Sequence, residues 1–295
     1  MITIGIVTRN VHGWATTQLT RAIIELGYEP FPFNYNSLYT EIYQGGYKVF
    51  SNGINLGEKL SALIVRPLGR LSFEQAFFRM DTLHLVENLG IPVINSPKAI
   101  EIAINKHRTL ALLAKNGIKV PYTVVTENVN EIVKKLDYSR GIVVKPLFGS
   151  KGLGSFLLKD RDYAWRVLAD LRYLRHVLYL QRFLRHGGRD IRAFVIGDKV
   201  AAVMYRELPG SWKTNIARGA KPKPLKVTDE ITEIAVKSAK IVGCDVAGVD
   251  IIESEGEKYV IEINSQPGWK GIQKVTKVDI AKKIIEYVVK EKIKR

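Results

Sequence analysis

AGVDIIESEGEKYVIEIN, residues 247–264, decides how the rest of the chain is read. Two apolar runs flank a polar stretch around Gly256, the pattern of an antiparallel hairpin. Glu262 and Asn264 are two apart in the second run, so they point to one face. A turn centred on Gly256 sets Asp250 opposite Glu262, with Asn264 beside them. Like charges directly opposite each other repel. Three oxygen ligands around one point, with room for water and phosphates, is how Mg²⁺ is usually held. A cation therefore explains the pairing more simply than the competing reading, three solvated residues on an exposed strand face.

Upstream lies a second hairpin, IRAFVIGDKVAAVMYREL, with Gly197-Asp198-Lys199 at its turn. Asp190 and Arg192 at its start could bind a ribose hydroxyl and a phosphate. A polar loop follows at 209–224, with Lys213, Asn215 and Arg218 as donors, and then a helix at 228–243. Further upstream, KPLFGSKGLGS joins two strands through Gly149, Gly152 and Gly154. Such glycines let a backbone approach an anion closely, though a plain turn reads the same way. Lys145 ends the strand before that loop and could reach a phosphate. The loop is neither a Walker loop nor a dinucleotide fingerprint, because no helix follows at once. A helix is expected at about 98–116, carrying Lys106 and Arg108, with others at about 128–136 and 161–174. Residues 1 to about 97 alternate strand and helix signals, which implies a parallel sheet with helices on its faces. EPFPFNYN in that stretch reads as a strand broken by two prolines.

Composition narrows the function classes. The 295 residues are 46% hydrophobic and 25% charged, so the chain can bury a core and is not disordered. No apolar run approaches the length of a bilayer-spanning helix. MITIGIVTRN reads as a strand rather than a secretory signal, and Cys244 alone makes neither an internal disulfide nor a cysteine-based zinc site. A cytoplasmic protein is the expectation. The net charge is +16, and eight arginines fall between Arg161 and Arg192. No nucleic-acid-binding signature accompanies that charge, so nucleic acid is not the expected substrate and no membrane partner is expected. Few Met, one Cys and abundant Lys, Glu and Ile fit a heat-adapted surface.

The order of these segments resembles the ATP-grasp superfamily, and within it the RimK-like α-L-glutamate ligases. The matching stretches are INKHRTLALLAKNGI, VVKPLFGSKGLG, YLQRFL, GRDIRAFVIGDKV, KTNIARGA, VAGVDII and VIEINSQPGWKGIQKVTKVDIA, from about residue 95 onward. The phrases GWKGIQKVTKVDIA and NIARGAKPKP look most like the archaeal branch acting on tetrahydromethanopterin. The resemblance implies an ATP-grasp fold of mixed α/β and α+β character. Residues 1–97 would be the N-terminal acceptor domain, 98–180 the central lid domain, and 181–295 the nucleotide and metal domain.

The resemblance also implies roles. Lys106 and Lys145 would contact ATP phosphates, and the loop Gly149, Ser150, Lys151, Gly152 and Gly154 would close over them as a lid. Gln181, with the backbone of the QRFL segment (181–184, so including Arg182 and Phe183), would line the adenine pocket. Arg182 stands where the family often has Glu. Asp190 looks like the ribose contact, and Lys213 and Thr214 belong to the same nucleotide set. Arg192, Asn215 and Arg218 would steady the transferred phosphoryl group. Asp250, Glu262 and Asn264 look like ligands of two Mg²⁺ ions, with Mn²⁺ as the alternative metal.

The implied reaction joins L-glutamate to an anionic carboxylate acceptor through an acyl phosphate. The acceptor would be a tetrahydromethanopterin-type or deazaflavin coenzyme, or else a ribosomal protein C-terminus. A nucleotide-binding protein without turnover is the rival from another class. Arg9, Arg66 and Arg70 are candidate acceptor contacts, against a generally basic surface. Family members form dimers or tetramers, so a homo-oligomer is expected. Phe77, Phe78 and the Tyr-rich stretch 35–47 are either contact surfaces or core.

Overall fold

The computed structural model describes residues 1–149 and 153–293. The N-terminal unit begins β1 (Thr3–Thr8), α1 (Trp14–Glu25), β2 (Glu29–Asn34). A small antiparallel sheet follows, β3 (Leu38–Tyr43), β4 (Gly46–Ser51) and β5 (Ile54–Asn55), then the one-turn helix α2 (Leu56–Lys59). β6 (Ala62–Val65), α3 (Phe73–Asn88) and β7 (Val93–Ile94) complete the unit. Its main sheet is parallel, in the order β2-β1-β6-β7, as the alternating pattern implies. β2 runs unbroken through Pro30 and Pro32. It is the edge strand and pairs only with β1, so residues without an N–H are tolerated there.

α4 (Pro97–Ile104) and α5 (Lys106–Lys115) replace the single helix expected at 98–116. The break is at Asn105, whose side chain accepts from the Arg108 N–H at 3.1 Å and caps the second helix. Both helices bury their apolar faces (Ala99, Ile102, Leu110, Leu113) against Ile191, Ala193 and Val249 of the C-terminal sheet. By packing they belong to that core, although they open the stretch expected as the lid.

The central sheet contains β8 (Thr123–Thr126), β9 (Ile142–Lys145), β10 (Phe156–Leu158) and β11 (Leu178–Arg182), in the order β10-β9-β11-β8. α6 (Val129–Lys135) and α7 (Arg161–Tyr173) cover one face of it. β11 crosses the 180/181 boundary, because Leu178 and Leu180 are buried in this unit's core.

The C-terminal sheet is antiparallel. β12 (Arg189–Ile196), β13 (Lys199–Glu207), β14 (Lys221–Pro224), β15 (Val246–Ser254) and β16 (Glu257–Asn264) lie in the order β14-β13-β12-β15-β16. α8 (Asp229–Val242) joins α4 and α5 on one face, and α9 (Ile280–Tyr287) packs with α1 against the other. Trp269 is fully buried where this second core meets the N-terminal unit, in contact with Trp14 and Phe194.

Phe73, Phe77 and Phe78 on α3 and Tyr39 and Tyr43 on the small sheet are exposed, whereas Tyr35 is core. No helix among the described residues is long and apolar enough to cross a membrane.

Candidate active site

Asp250 pairs with Glu262, and Gly248 with Asn264. The turn that achieves this is not centred on Gly256. It is the two-residue turn Glu255-Gly256, both at positive φ (54° and 79°), the conformation that tight hairpins require. That turn alone would shift the register by one residue. An irregularity between Asp250 and Ile251 restores it, because Ile251 pairs with Val260 and leaves Ile261 as the extra residue.

Asp250 is 3% exposed and sits in a row of buried charges. Arg206 donates to both Asp190 oxygens at 2.6 Å and lies 3.1 Å from Asp250 Oδ2. Arg192 Nε lies 2.9 Å from Asp250 Oδ1. That contact lacks hydrogen-bond alignment, and Oδ1 has no hydrogen bond among the described residues. Burial opposes the Arg206 charge, but Asp250 and Asp190 outweigh it and hold its pKa above the ordinary arginine value. Burial lowers the pKa of Arg192, against the pull of Asp250. Glu262 is shifted upward, first by burial and then by the Asp250 charge, with Lys106, Lys145 and Arg192 acting the other way. Lys145 donates to Gln181 at 2.7 Å, and its burial brings its pKa down to about 8. The pKa of Lys106 is likewise lowered by burial.

These groups line an open cleft between the central and C-terminal sheets. Lys106, Lys145, Gly149, Gln181, Arg182, Phe183, Asp190, Lys213, Thr214, Asn215, Asp250 and Glu262 all border it. Ser150, Lys151 and Gly152 lie outside the described residues, and Gly154 has the left-handed φ of 71° beside them. Two lysines hold the ends of this loop by its carbonyls: Lys106 donates to Gly149 at 2.7 Å, and Lys213 donates to Ser155. Asn264 stands two residues beyond Glu262 on the same strand and does not itself border the cleft, its amide nitrogen donating to the Gly248 carbonyl at 3.3 Å. Arg192 approaches the site through Asp250 rather than from the cleft wall.

Three expectations change. The Asp190 carboxylate is not open to a ribose in the way expected, because Arg206 takes both oxygens and the Thr214 hydroxyl donates to one at 2.5 Å. The N–H groups of Arg182 and Phe183 are committed to the carbonyls of Tyr122 and Gly141, so within the QRFL segment these two cannot donate to a base, while Leu184 also borders the cleft. Arg218 is exposed and does not border the cleft.

Arg206 escaped the sequence reading. It sits directly opposite Asp190 in the β12–β13 hairpin, but counting from the Gly197-Asp198 turn points to Tyr205, and an irregularity between Phe194 and Val195 moves the pairing to Arg206. Trp212 was also missed. It meets Phe183 edge-on, with ring centroids 6.5 Å apart, and forms an apolar wall of the cleft.

The donor set fits a hard divalent cation. It offers two opposed carboxylates and an amide, and Asp250 Oδ1, which Arg192 approaches at 2.9 Å, is buried with no hydrogen bond among the described residues. Among the described residues, no group of three or more His, Cys, Asp or Glu that could hold a metal ion gathers anywhere, this site included, so the site rests on two carboxylates and an amide.

Comparison with known proteins agrees with this geometry. Residues 103–288 match the RimK-like ATP-grasp domain. A tetrahydromethanopterin:α-L-glutamate ligase from Methanosarcina acetivorans is 34% identical, over 97% of this chain and 98% of its own. A ligase of the same name from Methanocaldococcus jannaschii is 38% identical, over 79% and 80%. A probable α-L-glutamate ligase 2 from Shewanella denitrificans is 34% identical, over 97% and 95%. Among solved structures, the ATP-grasp ligase PsnB complexed with a minimal precursor shares the fold, with a TM-score of 0.79 at 22% identity and 98% coverage of both chains. The RimK domain ATP-grasp protein from Sphaerobacter thermophilus does so with a TM-score of 0.75 at 16% identity, over 97% and 98%. With two carboxylates opposed on one hairpin, lysines across the cleft and relatives matched from end to end, the chain belongs to the RimK-like ATP-grasp family of ligases.

Proposed function

We propose that the protein is a cytoplasmic ATP-dependent ligase that adds L-glutamate to the carboxylate of an anionic acceptor, best matched by a tetrahydromethanopterin-type coenzyme. The observation that carries this reading is the opposition of Asp250 and Glu262 across the cleft from Lys106 and Lys145. The names of the relatives support glutamate as the amine and the methanopterin coenzyme as the acceptor. The domain roles assigned from sequence are part of the proposal, as is a homo-oligomer.

In the first step an acceptor carboxylate oxygen bonds to the γ-phosphorus of ATP as the bond to the β-phosphate oxygen breaks. This gives an acyl phosphate and ADP. In the second, the free amine of L-glutamate bonds to the acyl carbon as phosphate leaves. Two anions must meet in the first step, so fixed positive charge matters most. Lys145 and Lys106, which border the cleft, would meet the phosphates, and burial leaves their charges poorly screened. Arg192 and Arg206 hold the Asp250 carboxylate in place. Phe183, Trp212 and Ile252 offer an apolar wall for the base. Asp250, Glu262 and Asn264 would hold Mg²⁺, in one or two ions or with Mn²⁺ in its place, which when bound neutralises phosphate charge.

The test is ADP release with Mg-ATP and L-glutamate against a panel of acceptors, with mass spectrometry of the products. The panel holds a tetrahydromethanopterin-type coenzyme, a deazaflavin coenzyme, a ribosomal-protein C-terminal peptide and no acceptor. A gain of one glutamate on the methanopterin coenzyme is the expected result. ADP release with no glutamate on any acceptor overturns it.

A further inference from the structure

The parallel sheet of the N-terminal unit ends in a group of arginines with no acid among them. Arg9 follows β1, Arg66 follows β6, and Arg79 lies in the second turn of α3. All three sit toward the carboxyl edge of the sheet, where open parallel sheets present ligands. Arg66 and Arg79 are each only 7% exposed. The Arg66 guanidinium lies 4.7 Å from the centre of the Trp269 ring, and that of Arg79 lies 4.7 Å from the centre of Tyr35.

Their hydrogen bonds go to neutral groups. Arg66 Nη2 donates to the Pro267 carbonyl at 3.2 Å. Arg79 Nη1 donates to the Leu68 carbonyl at 2.8 Å, and Nη2 to Asn36 Oδ1 at 3.1 Å. Those three bonds use fewer than half of the N–H groups that two guanidiniums carry. Among the described residues no carboxylate pairs with either arginine, and the charged residue that acts on Arg79 is itself a cation, Arg9. Burial pushes Arg66 down to about 10, and burial followed by the Arg9 charge lowers Arg79. An uncompensated buried charge is costly to a fold, so two on one ligand-facing edge call for an anion from outside.

The cluster is also joined to the active site. Pro267, which accepts from Arg66, is three residues beyond Asn264. The residues around it, Gln266 and Trp269, carry buried side-chain nitrogens with no hydrogen-bond partner among the described residues, as does Arg66 Nε. Arg9 lies at the open side. Its side chain crosses directly over Gly69 (φ 98°), where a Cβ would come within 2.3 Å of Arg9 Cδ.

We propose that Arg66 and Arg79, with Arg9 at the mouth, bind a second, non-reacting oxyanion of the acceptor while its reacting carboxylate reaches the Asp250–Glu262 site. This rests on the ligase reading above. It makes the enzyme selective for acceptors with at least two anionic groups, such as a chain that already ends in a dicarboxylic acid or carries a phosphate.

The full-length protein is titrated with glutarate and, separately, with inorganic phosphate at constant ionic strength. Trp269, stacked under Arg66, is the fluorescent reporter. Titrations are run alone and with the cleft saturated by a non-hydrolysable Mg-ATP analogue. The expected result is saturable binding in both states, weakened about tenfold or more in Arg9→Gln and Arg79→Gln. Affinity for the nucleotide analogue should not move in either variant, and the melting temperature should not move in Arg9→Gln. Arg66→Lys, which keeps the charge but not the fork, should fall between. Tighter glutarate than phosphate assigns the site to a carboxylate, and the reverse assigns it to a phosphate. No saturable binding to the native protein overturns the proposal, as does binding that neither Gln variant changes. Loss of anion binding in step with nucleotide affinity and melting temperature also overturns it. If the ligase reading alone fails, anion binding persists while no acceptor supports ADP release.

Discussion

Arg206 in the C-terminal sheet and Arg66 at the end of the N-terminal sheet are about equally hidden from water, at 4% and 7% exposure. Arg206 is enclosed by the carboxylates of Asp190 and Asp250. Arg66 meets a carbonyl and an indole ring. Balanced charge of the first kind is scaffold: it holds Asp250 at a fixed place and orientation for the chemistry. Unbalanced charge of the second kind is capacity kept for a ligand. One fold thus uses the same side chain in two ways, and the difference lies wholly in what faces it.

The largest expected effect separates the chemistry from the scaffold. Glu262→Gln keeps the shape of the site and removes one opposed carboxylate, so ADP release should fall by roughly two to three orders of magnitude. The circular dichroism spectrum and melting temperature should be unchanged, since Arg192 and Arg206 still neutralise Asp250. Near-normal turnover in that variant would break the metal assignment.

The two arginines can then be compared directly. Arg206→Met leaves Asp190 and Asp250 buried with too little positive charge and should cost about 3–5 kcal/mol in denaturant unfolding. Arg66→Met removes a charge that nothing compensates, so its cost should stay within about 1 kcal/mol. Equal losses would show that Arg66 is scaffold too.

Lys145 offers a pH test of the same contrast. Its pKa is about 8 in the folded protein, against an ordinary 10.5. Across that window the unfolded chain holds a proton that the folded chain has released, so this residue makes stability rise with pH. Below about pH 8 both states are protonated and its contribution to the slope vanishes. Lys145→Met should remove the rise when urea midpoints at about pH 7.5 and 9.5 are compared. Smallest is Gly256→Ala at the left-handed turn position, which should cost about 1 kcal/mol in the same unfolding experiment.

Much of the site was legible because β-hairpins obey simple counting. The opposition of Asp250 and Glu262 follows from strand period and turn position. It came out right although the turn sits half a step from where it was expected, because the extra residue Ile261 makes up the difference. The same counting misses Arg206 by one residue, because the irregularity between Phe194 and Val195 shifts the β12–β13 register. The break at Asn105 was hidden because apolar spacing continues across it, and only the side-chain cap shows it. Asp190 and the Arg182–Phe183 backbone looked open in sequence because their partners Arg206, Thr214, Tyr122 and Gly141 come from other strands and loops.

The amino-acid sequence by itself determined the parallel N-terminal unit, the hairpins, the pairing of the two carboxylates and the family. All of these rest on local period, turn residues and motif order, which act over a few neighbours. Only the tertiary structure decided which charges are balanced. Arg66 and Pro267 are 201 positions apart and Asn95 and Val246 are 151 apart, yet both pairs are in contact. Whether a buried arginine finds an acid depends on such long-range packing, because electrostatic cost is set by what lies within a few ångströms in space rather than along the chain.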